Sequence, residues 1–368
     1  MAACGARVRR PHPAFKRMSQ IEHTNGHGAP LGANVPPHNS VAGPARTSGS
    51  WQRLLAAIVI LYTLSVAGLW AWMMLEGDNQ WLATMLLFGP RWLCGLPLPL
   101  LIVAAAIWSR RLLVILAIAA YLLIGPLMGF KFNLPASADT PASLKVLTCN
   151  VDQNNFSPRA LSELIMGVQP DVVTLQEVST ETKFIWPKDW QVLVHDEFIV
   201  ASRWPIREEG SIRRNKYELS SARFLVKLPD REVQIFNIHL KTPRAGLEAV
   251  LKERRAAVER MDEVLEYRAL ESEAVSLWVA EFPGPKVVLG DFNMPGESVI
   301  FRRDWTALPD AFATRGWGFG YTKISPDLGW AYGTRIDHVL FTEEFLPLRV
   351  WVGPTVGSDH LPLVAEFE

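Results

Sequence analysis

The chain has 368 residues, with 37 Lys plus Arg against 37 Asp plus Glu, so its formal net charge is zero. That balance excludes a uniformly basic nucleic-acid coat and a uniformly acidic disordered chain. Three scattered cysteines, Cys4, Cys94 and Cys149, exclude a disulfide framework and a cysteine-based zinc site.

The even balance hides a division. Residues 1–130 hold ten of the basic and three of the acidic residues, which leaves 131–368 with a net charge of −7. Residues 1–50, rich in Gly, Pro, Ala, Asn, His and Ser, show little hydrophobic periodicity and read as a disordered basic tail. Region 51–130 then reads as a transmembrane region. Leu54 to Leu75 is a run of 22 residues without a charge. As a helix it would span about 33 Å, enough for a bilayer core. Trp51, Trp70 and Trp72 stand near its ends, where interfacial aromatics belong. Two further apolar runs, Trp92 to Trp108 and Leu112 to Phe130, are separated only by Ser109-Arg110-Arg111. Three transmembrane helices are therefore expected, at about 54–75, 92–108 and 112–130, the last two forming a hairpin. A cleaved signal peptide followed by a buried helical hairpin fits less well, because the first run and its N-terminal extension are both too long.

Six Lys/Arg precede Trp51, Arg53 follows it, and Arg110-Arg111 form the hairpin turn; the loop 76–91 has Glu76, Asp78 and a single Arg91. The positive-inside rule puts the tail and that turn in the cytoplasm. Three crossings then carry everything after Phe130 outside. The expectation is an integral membrane protein, with the lipid bilayer as a partner and an extracytoplasmic C-terminal domain.

Lys131 to Ser143, with Pro and Ala, reads as a linker (131–143), and 144–368 as the domain. Strands are expected at 145–151, 172–178, 191–195, 198–202, 223–228, 232–240, 286–292, 336–342, 348–353 and 363–367. Helices are expected at 157–168, 245–281 and 297–307. So many strands with so few helices suggest a two-sheet α/β domain.

Polar residues recur at the ends of these apolar strands: Asn150-Val151-Asp152, Leu175-Gln176-Glu177-Val178, Asn237-Ile238-His239-Leu240, Gly290-Asp291-Phe292-Asn293, Arg335-Ile336-Asp337-His338 and Gly357-Ser358-Asp359-His360. The two-residue strand period puts Asn150 with Asp152, Asn237 with His239, and Asp291 with Asn293 on common faces. Carboxylates and imidazoles without thiols suit a hard, oxygen-seeking cation such as Mg²⁺, with Mn²⁺ as the substitute. They also offer a general base and donors for developing phosphoryl charge.

The series NVD, LQEV, NIHL, GDFN, RIDHVL, GSDHLPL, in this order over about 144–368, resembles the endonuclease/exonuclease/phosphatase superfamily, the DNase I-like group. The resemblance implies an α/β fold, a four-layer α/β sandwich of two mainly antiparallel sheets flanked by helices, here preceded by about three transmembrane helices. It implies Mg²⁺-dependent phosphoester hydrolysis. By the same resemblance Glu177 is the main metal ligand, with Asn150 and Asp359 near the ion. Asp291 and Asn293 orient the nucleophilic water and hold the phosphate, and His239 donates to a phosphate oxygen. Asp337 orients His360, which faces the scissile phosphate. Whether His360 or Asp291 takes the proton stays open at this point. Arg223 is matched to a phosphate contact, against the plainer alternative of a surface arginine. Asp152 matches an acid found only in some members, and a solvent-exposed turn acid is the equal alternative. His338 should point to the opposite face as a packing histidine.

The function expected is a membrane-anchored phosphodiesterase or phosphatase acting on a lipid head group, a small phosphoester or a nucleic acid. An extracytoplasmic DNA/RNA nuclease is the first alternative, which the −7 charge weakens because counterion release needs a basic footprint. A non-catalytic membrane scaffold of the same fold is the second, disfavoured because Glu177, Asp291 and His360 are all present.

Overall fold

A computed structural model of the chain describes residues 48–133, 141–153, 155–179, 181–216, 218–253, 255–325 and 332–368. The expected tail up to residue 47 and the linker residues 134–140 lie outside the described residues. The apolar front forms helices α1 (Ser48–Glu76), α2 (Trp81–Phe88), α3 (Pro97–Trp108) and α4 (Leu112–Leu122), with tighter or wider turns at Gly77–Asn79, Arg91–Gly95 and Leu123–Leu127. Two stretches are long and apolar enough to cross a membrane, Gly49–Asn79 and Arg91–Trp108; the third, Leu112–Leu127, is shorter than 18 residues. The run expected to reach Phe130 stops early because Pro126 lies in its last, widened turn. Leu55, Val59, Val66 and Met73 follow one another at four- and seven-residue steps along α1, and bury that stripe in one cluster with Leu98, Ala105, Leu116 and Leu123.

The two ends of this bundle differ. At one end Gln52 donates to the Trp108 carbonyl at 3.2 Å, beside the Arg110-Arg111 turn. At the other, Asp78 receives Ser298 Oγ at 2.5 Å and the Val299 and Ile300 amides at 2.9 and 3.3 Å. Arg91 reaches the Leu127 carbonyl at 2.9 Å and Glu297 at 3.3 Å. The chain then enters the C-terminal region through β1 (Lys131–Phe132), which pairs with β10 (Trp317–Gly318).

The remaining elements are β2 (Leu144–Gln153), α5 (Pro158–Val168), β3 (Val172–Val178), β4 (Gln191–His195), β5 (Phe198–Ser202), β6 (Ile206–Arg213), β7 (Leu219–Lys227), β8 (Glu232–His239), α6 (Arg244–Glu253), α7 (Arg255–Ala280), β9 (Lys286–Asp291), α8 (Val299–Trp305), α9 (Ala311–Arg315), β11 (Lys323–Ser325), β12 (Tyr332–Thr334), β13 (Asp337–Phe341), β14 (Pro347–Val352) and β15 (Leu363–Phe367). All the expected strands are present. The unexpected β6, IREEGSIR, has no alternating apolar face; it is a strand because β7 supplies its hydrogen-bonding partner at the sheet edge.

The strands form a six-stranded sheet, β14-β15-β2-β3-β5-β4, and a five-stranded sheet, β13-β9-β8-β7-β6. Pairing is antiparallel except between β2 and β3 and between β8 and β9. Alternation builds the layers. Leu144, Val146 and Val172 face Val233, Ile235, Val287 and Leu289 in a core shared by the two sheets. Leu147, Cys149 and Val173 pack outward with Leu161 and Ile165 of α5. Phe236, Ile238 and Val288 pack outward with Val275 and Val279 of α7 and with Trp305. The result is the four-layer α/β sandwich.

Candidate active site

The two parallel pairs bring four strand C-termini to one edge, where Asn150, Glu177, His239 and Asp291 sit. Antiparallel β13 adds its first residue, with Asp337 directly opposite Asp291. Beneath them the sheets are tied by a polar bridge. Gln176 donates to Thr148 at 3.0 Å and to Asn237 at 2.6 Å, and Asn237 donates to the Leu175 carbonyl at 3.0 Å. Gly290 precedes Asp291 at φ +138, and a Cβ there would lie 2.1 Å from the Ile238 carbonyl oxygen, so only glycine lets β9 approach β8 this closely.

Asp291 is the hub. Its Oδ2 accepts from Asn150 at 3.0 Å and from the Asn293 side chain at 3.2 Å, and its Oδ1 accepts from the Asn293 amide at 2.8 Å. His360 Nδ1 lies 2.9 Å from Asp337, while its Nε2 faces Asp291 Oδ2 at 3.6 Å. Asn150 also donates to Glu177 at 2.9 Å, and Glu177 lies 3.3 Å from His239 Nε2. Asp291, Asp337 and His360 are buried, whereas about a third of the Glu177 and Asp359 side chains reaches solvent, so these two form the mouth. Glu177 and Asn293 both have positive φ, +53 and +51. Such conformations cost on the order of 1 kcal/mol or more for non-glycine residues. At Glu177 the twist breaks alternation: strict period two would turn this carboxylate toward α5, yet it joins Asn150 and His239.

The electrostatics follow from burial and pairing. Burial disfavours the Glu177 carboxylate, but His239 and Asn150 outweigh it and hold its pKa down to about 2. Burial likewise opposes the His239 imidazolium, and Glu177 with Glu197 overcomes it, raising His239 to about 10. Asp291 is pushed up, mainly by burial and also by Asp337. For His360 burial works downward, but Asp337 and Asp291 prevail and raise it.

Of the residues expected from sequence, Asn150, Glu177, His239, Asp291, Asn293, Asp337, Asp359 and His360 meet at this edge. Arg223 does not. It lies on the outward face of β7, stacked 3.7 Å from the Phe282 ring centroid and donating to Gln234 at 3.0 Å. Asp152 is also turned aside. The β2–β3 pairing slips between Asn150 and Gln153, Asp152 has φ +49, and its carboxylate accepts from Asn155. The common face expected for Asn150 and Asp152 is therefore lost. His338 points outward, bonded to Asp310 and to the Met294 carbonyl.

Several further residues at the site were assigned no role from the sequence. Lys323 pairs closely with Asp359, and Arg244 approaches the same carboxylate at 3.7 Å. Ser358 Oγ donates to the Asn150 carbonyl at 2.8 Å and accepts the His360 amide at 3.0 Å. Arg268, buried in α7, donates to the Asn293 carbonyl at 2.7 Å and the Lys241 carbonyl at 2.9 Å, and lies 3.8 Å from Asp78. Of these, only Ser358 stood inside a quoted motif.

The donor set fits a hard divalent cation. Glu177, Asp291 and Asp359 offer carboxylate oxygens at one edge, where the Asn150 side-chain amide nitrogen meets two of them, and buried Oδ1 atoms of Asp337 and Asp359 have no hydrogen-bond partner among the described residues. Among the described residues Asp291, Asp337 and His360 form a buried group whose ligating atoms lie within 4.8 Å of one another. In that group His360 Nδ1 bonds Asp337, and its Nε2 faces Asp291.

Residues 147–360 match the Endonuclease/Exonuclease/phosphatase family. The chain belongs to this family. It is an enzyme of the metal-dependent phosphoester hydrolase class that the family comprises. Among solved structures, the 3′ phosphatase NExo from Neisseria, bound to a product DNA hairpin, is similar at 18% identity and a TM-score of 0.46, over 61% of this chain and 99% of that one. An AP endonuclease from Archaeoglobus fulgidus is similar at 17% identity and a TM-score of 0.47, over 61% of this chain and 99% of that one. The search of curated proteins found no match.

Proposed function

We propose that this family member is a membrane-anchored, Mg²⁺-dependent phosphoester hydrolase whose active site faces away from the cytoplasm. The observation that carries the reading is the His360–Asp337 pair set against an Asp291 carboxylate already oriented by Asn150 and Asn293. Asp291, its proton affinity raised by burial, accepts the proton of the attacking water. His360 and His239, each favoured as imidazolium by neighbouring carboxylates, donate to phosphoryl oxygens as negative charge develops. Glu177, with Asn150 and Asp359, would hold Mg²⁺, which when bound supplies Lewis-acid stabilisation of the phosphoryl oxygens.

Anchoring is supported by exposure. Leu61, Leu64, Leu75, Leu100, Val103, Ile107, Val114 and Ile118 all present apolar surface on the outside of the helical bundle, more than a water-facing monomer sustains. Orientation is supported by charge: Arg53, Arg110 and Arg111 lie at the end remote from the catalytic region. The test of activity is hydrolysis of bis-p-nitrophenyl phosphate by the purified full chain, with EDTA and with Mg²⁺ restored. Turnover unaffected by EDTA overturns the metal assignment. The test of orientation is a reporter fused after Phe130: alkaline phosphatase activity is expected, and green fluorescence without phosphatase activity reverses the topology.

A further inference from the structure

We propose that the phosphoester this site hydrolyses is carried by a membrane lipid, bound with the apolar part next to its phosphate in a cavity that the membrane segment helps to build. The inference rests on the hydrolase reading above and names its substrate class. The cavity, about 420 Å³, has site residues Asn293 and Asp359 on its wall, Leu247 and Ile336 from the catalytic region, and Phe88 from the end of α2. Phosphate chemistry and an apolar lining thus share one space. Arg244 and Lys323, which flank Asp359, also line it with Glu248, so cationic groups stand beside the carboxylates at the cavity wall.

Phe88 is fixed relative to the site. The Arg268 guanidinium lies 5.6 Å from its ring centroid, and the same guanidinium holds the Asn293 carbonyl at 2.7 Å. Asp78, buried against Ser298, lies 3.8 Å from Arg268 and locks the α1–α2 turn onto this corner. The bilayer level follows from the same turn. Leu75 is 72% exposed and apolar, whereas Asp78, three residues on, is buried in the catalytic region. The boundary between hydrocarbon and head groups therefore passes through this turn, and the cavity lies beside it. A lipid phosphate drawn outward could meet Asn293 and Asp359 with its apolar portion against Phe88 and Leu247, because all four line the one cavity. A nucleic acid would have to approach a site whose flank is occupied by the membrane segment and whose surroundings are acidic.

The reaction balances without a further reagent. Water oxygen bonds to phosphorus and the bond from phosphorus to the leaving alcohol oxygen breaks. The proton that Asp291 takes from the water is returned to the departing alkoxide. A phosphodiester lipid and water thus give an alcohol and a phosphomonoester.

The test uses the full chain in detergent with Mg²⁺. Dioleoyl phosphatidylglycerol, phosphatidylcholine and phosphatidic acid in mixed micelles are each compared with their water-soluble dibutyryl counterparts, with single-stranded DNA and with bis-p-nitrophenyl phosphate. At least one dioleoyl lipid should exceed its dibutyryl counterpart in kcat/KM by roughly tenfold, the worth of burying about two methylenes. Phe88→Ala should collapse that ratio, and Leu247→Asn on the facing wall should do the same if Phe88→Ala folds poorly. DNA turned over faster than every lipid, or a long-chain preference untouched by both substitutions, overturns the lipid inference while bis-p-nitrophenyl phosphate hydrolysis leaves the hydrolase reading standing. Absence of bis-p-nitrophenyl phosphate turnover overturns that reading and the inference together.

Discussion

Leu61, Leu64 and Leu100 stand exposed on the helical segment, while Val146, Ile235 and Leu289 are sealed between the two sheets. Both regions are rich in the same aliphatic residues, but they solve opposite problems. The sheets bury apolar side chains on both faces and leave charge for the surface and the site. The helices bury only a narrow stripe and turn the remainder outward, which suits lipid as solvent. Buried charge therefore has a restricted meaning here. In the catalytic region it includes the Asp291, Asp337 and His360 cluster at the site and, on the outward side, Asp310 paired with Arg335 and His338. At the end of the helical bundle it is Asp78 and Arg91, and both are committed to the catalytic region. The helical segment is thus a structural neighbour of the catalytic region.

The strongest way to separate the two regions is to disable chemistry alone. His360→Ala should lower kcat by about 10²–10⁴-fold, with the protein still resisting alkaline carbonate extraction from membranes. Asp337→Asn should cost a large share of the same factor. The double variant should not multiply the losses, because one unit is disabled twice. Independent, multiplying losses would count against the pairing.

Asp78→Ala tests the junction. Arg268 would keep a buried charge without its carboxylate neighbour, a change worth about 3–5 kcal/mol. A lower melting temperature in detergent and a reduced kcat are expected together, since Arg268 also holds the Asn293 carbonyl. A melting curve identical to the parent's would mean that the two regions are merely adjacent.

Glu177→Gln should raise the Mg²⁺ concentration needed for half-maximal activity. Its effect on pH dependence in EDTA is equally specific. Glu177, ordinarily 4.5 and here about 2, contributes stability present above pH 4.5 and lost as pH falls through 2. His239, ordinarily 6.5 and here about 10, contributes stability present below pH 6.5 and lost as pH rises through 10. Removing the Glu177 charge should lower the His239 pKa toward 6.5, so that the alkaline decline is smaller and ends nearer 6.5. Melting temperatures across pH for parent and variant would reveal an unchanged alkaline limb if the pair does not form.

The smallest effects belong to residues that the fold turns away. Arg223→Ala should lose about 0.5–1 kcal/mol of stacking on Phe282, read as a lower melting temperature with kcat/KM retained. Asp152→Ala should stay within about 0.5 kcal/mol and keep its Mg²⁺ dependence. A large rise in KM for Arg223→Ala would restore it to the site.

The strand ends were legible from sequence because β2, β3, β8 and β9 are strand-like stretches rich in apolar residues that each end in a polar motif, and parallel pairing aligns such ends. Their order along the chain was enough to identify the family, and charge-free helical length was enough to mark the helical segment. What alternation could not supply was the exception to it. Glu177 enters the site only through a left-handed residue at the end of β3, and Asp152 leaves it through the slipped register of β2. Arg223 is placed outside by the outward phase of β7, which becomes known only once β6 and β8 flank it. Lys323, Arg244, Arg268 and Asp78 lie far apart along the chain and in no motif. Their meeting is decided by packing, because a buried charge takes its partner from whatever element the fold sets beside it, and no local pattern records that neighbour.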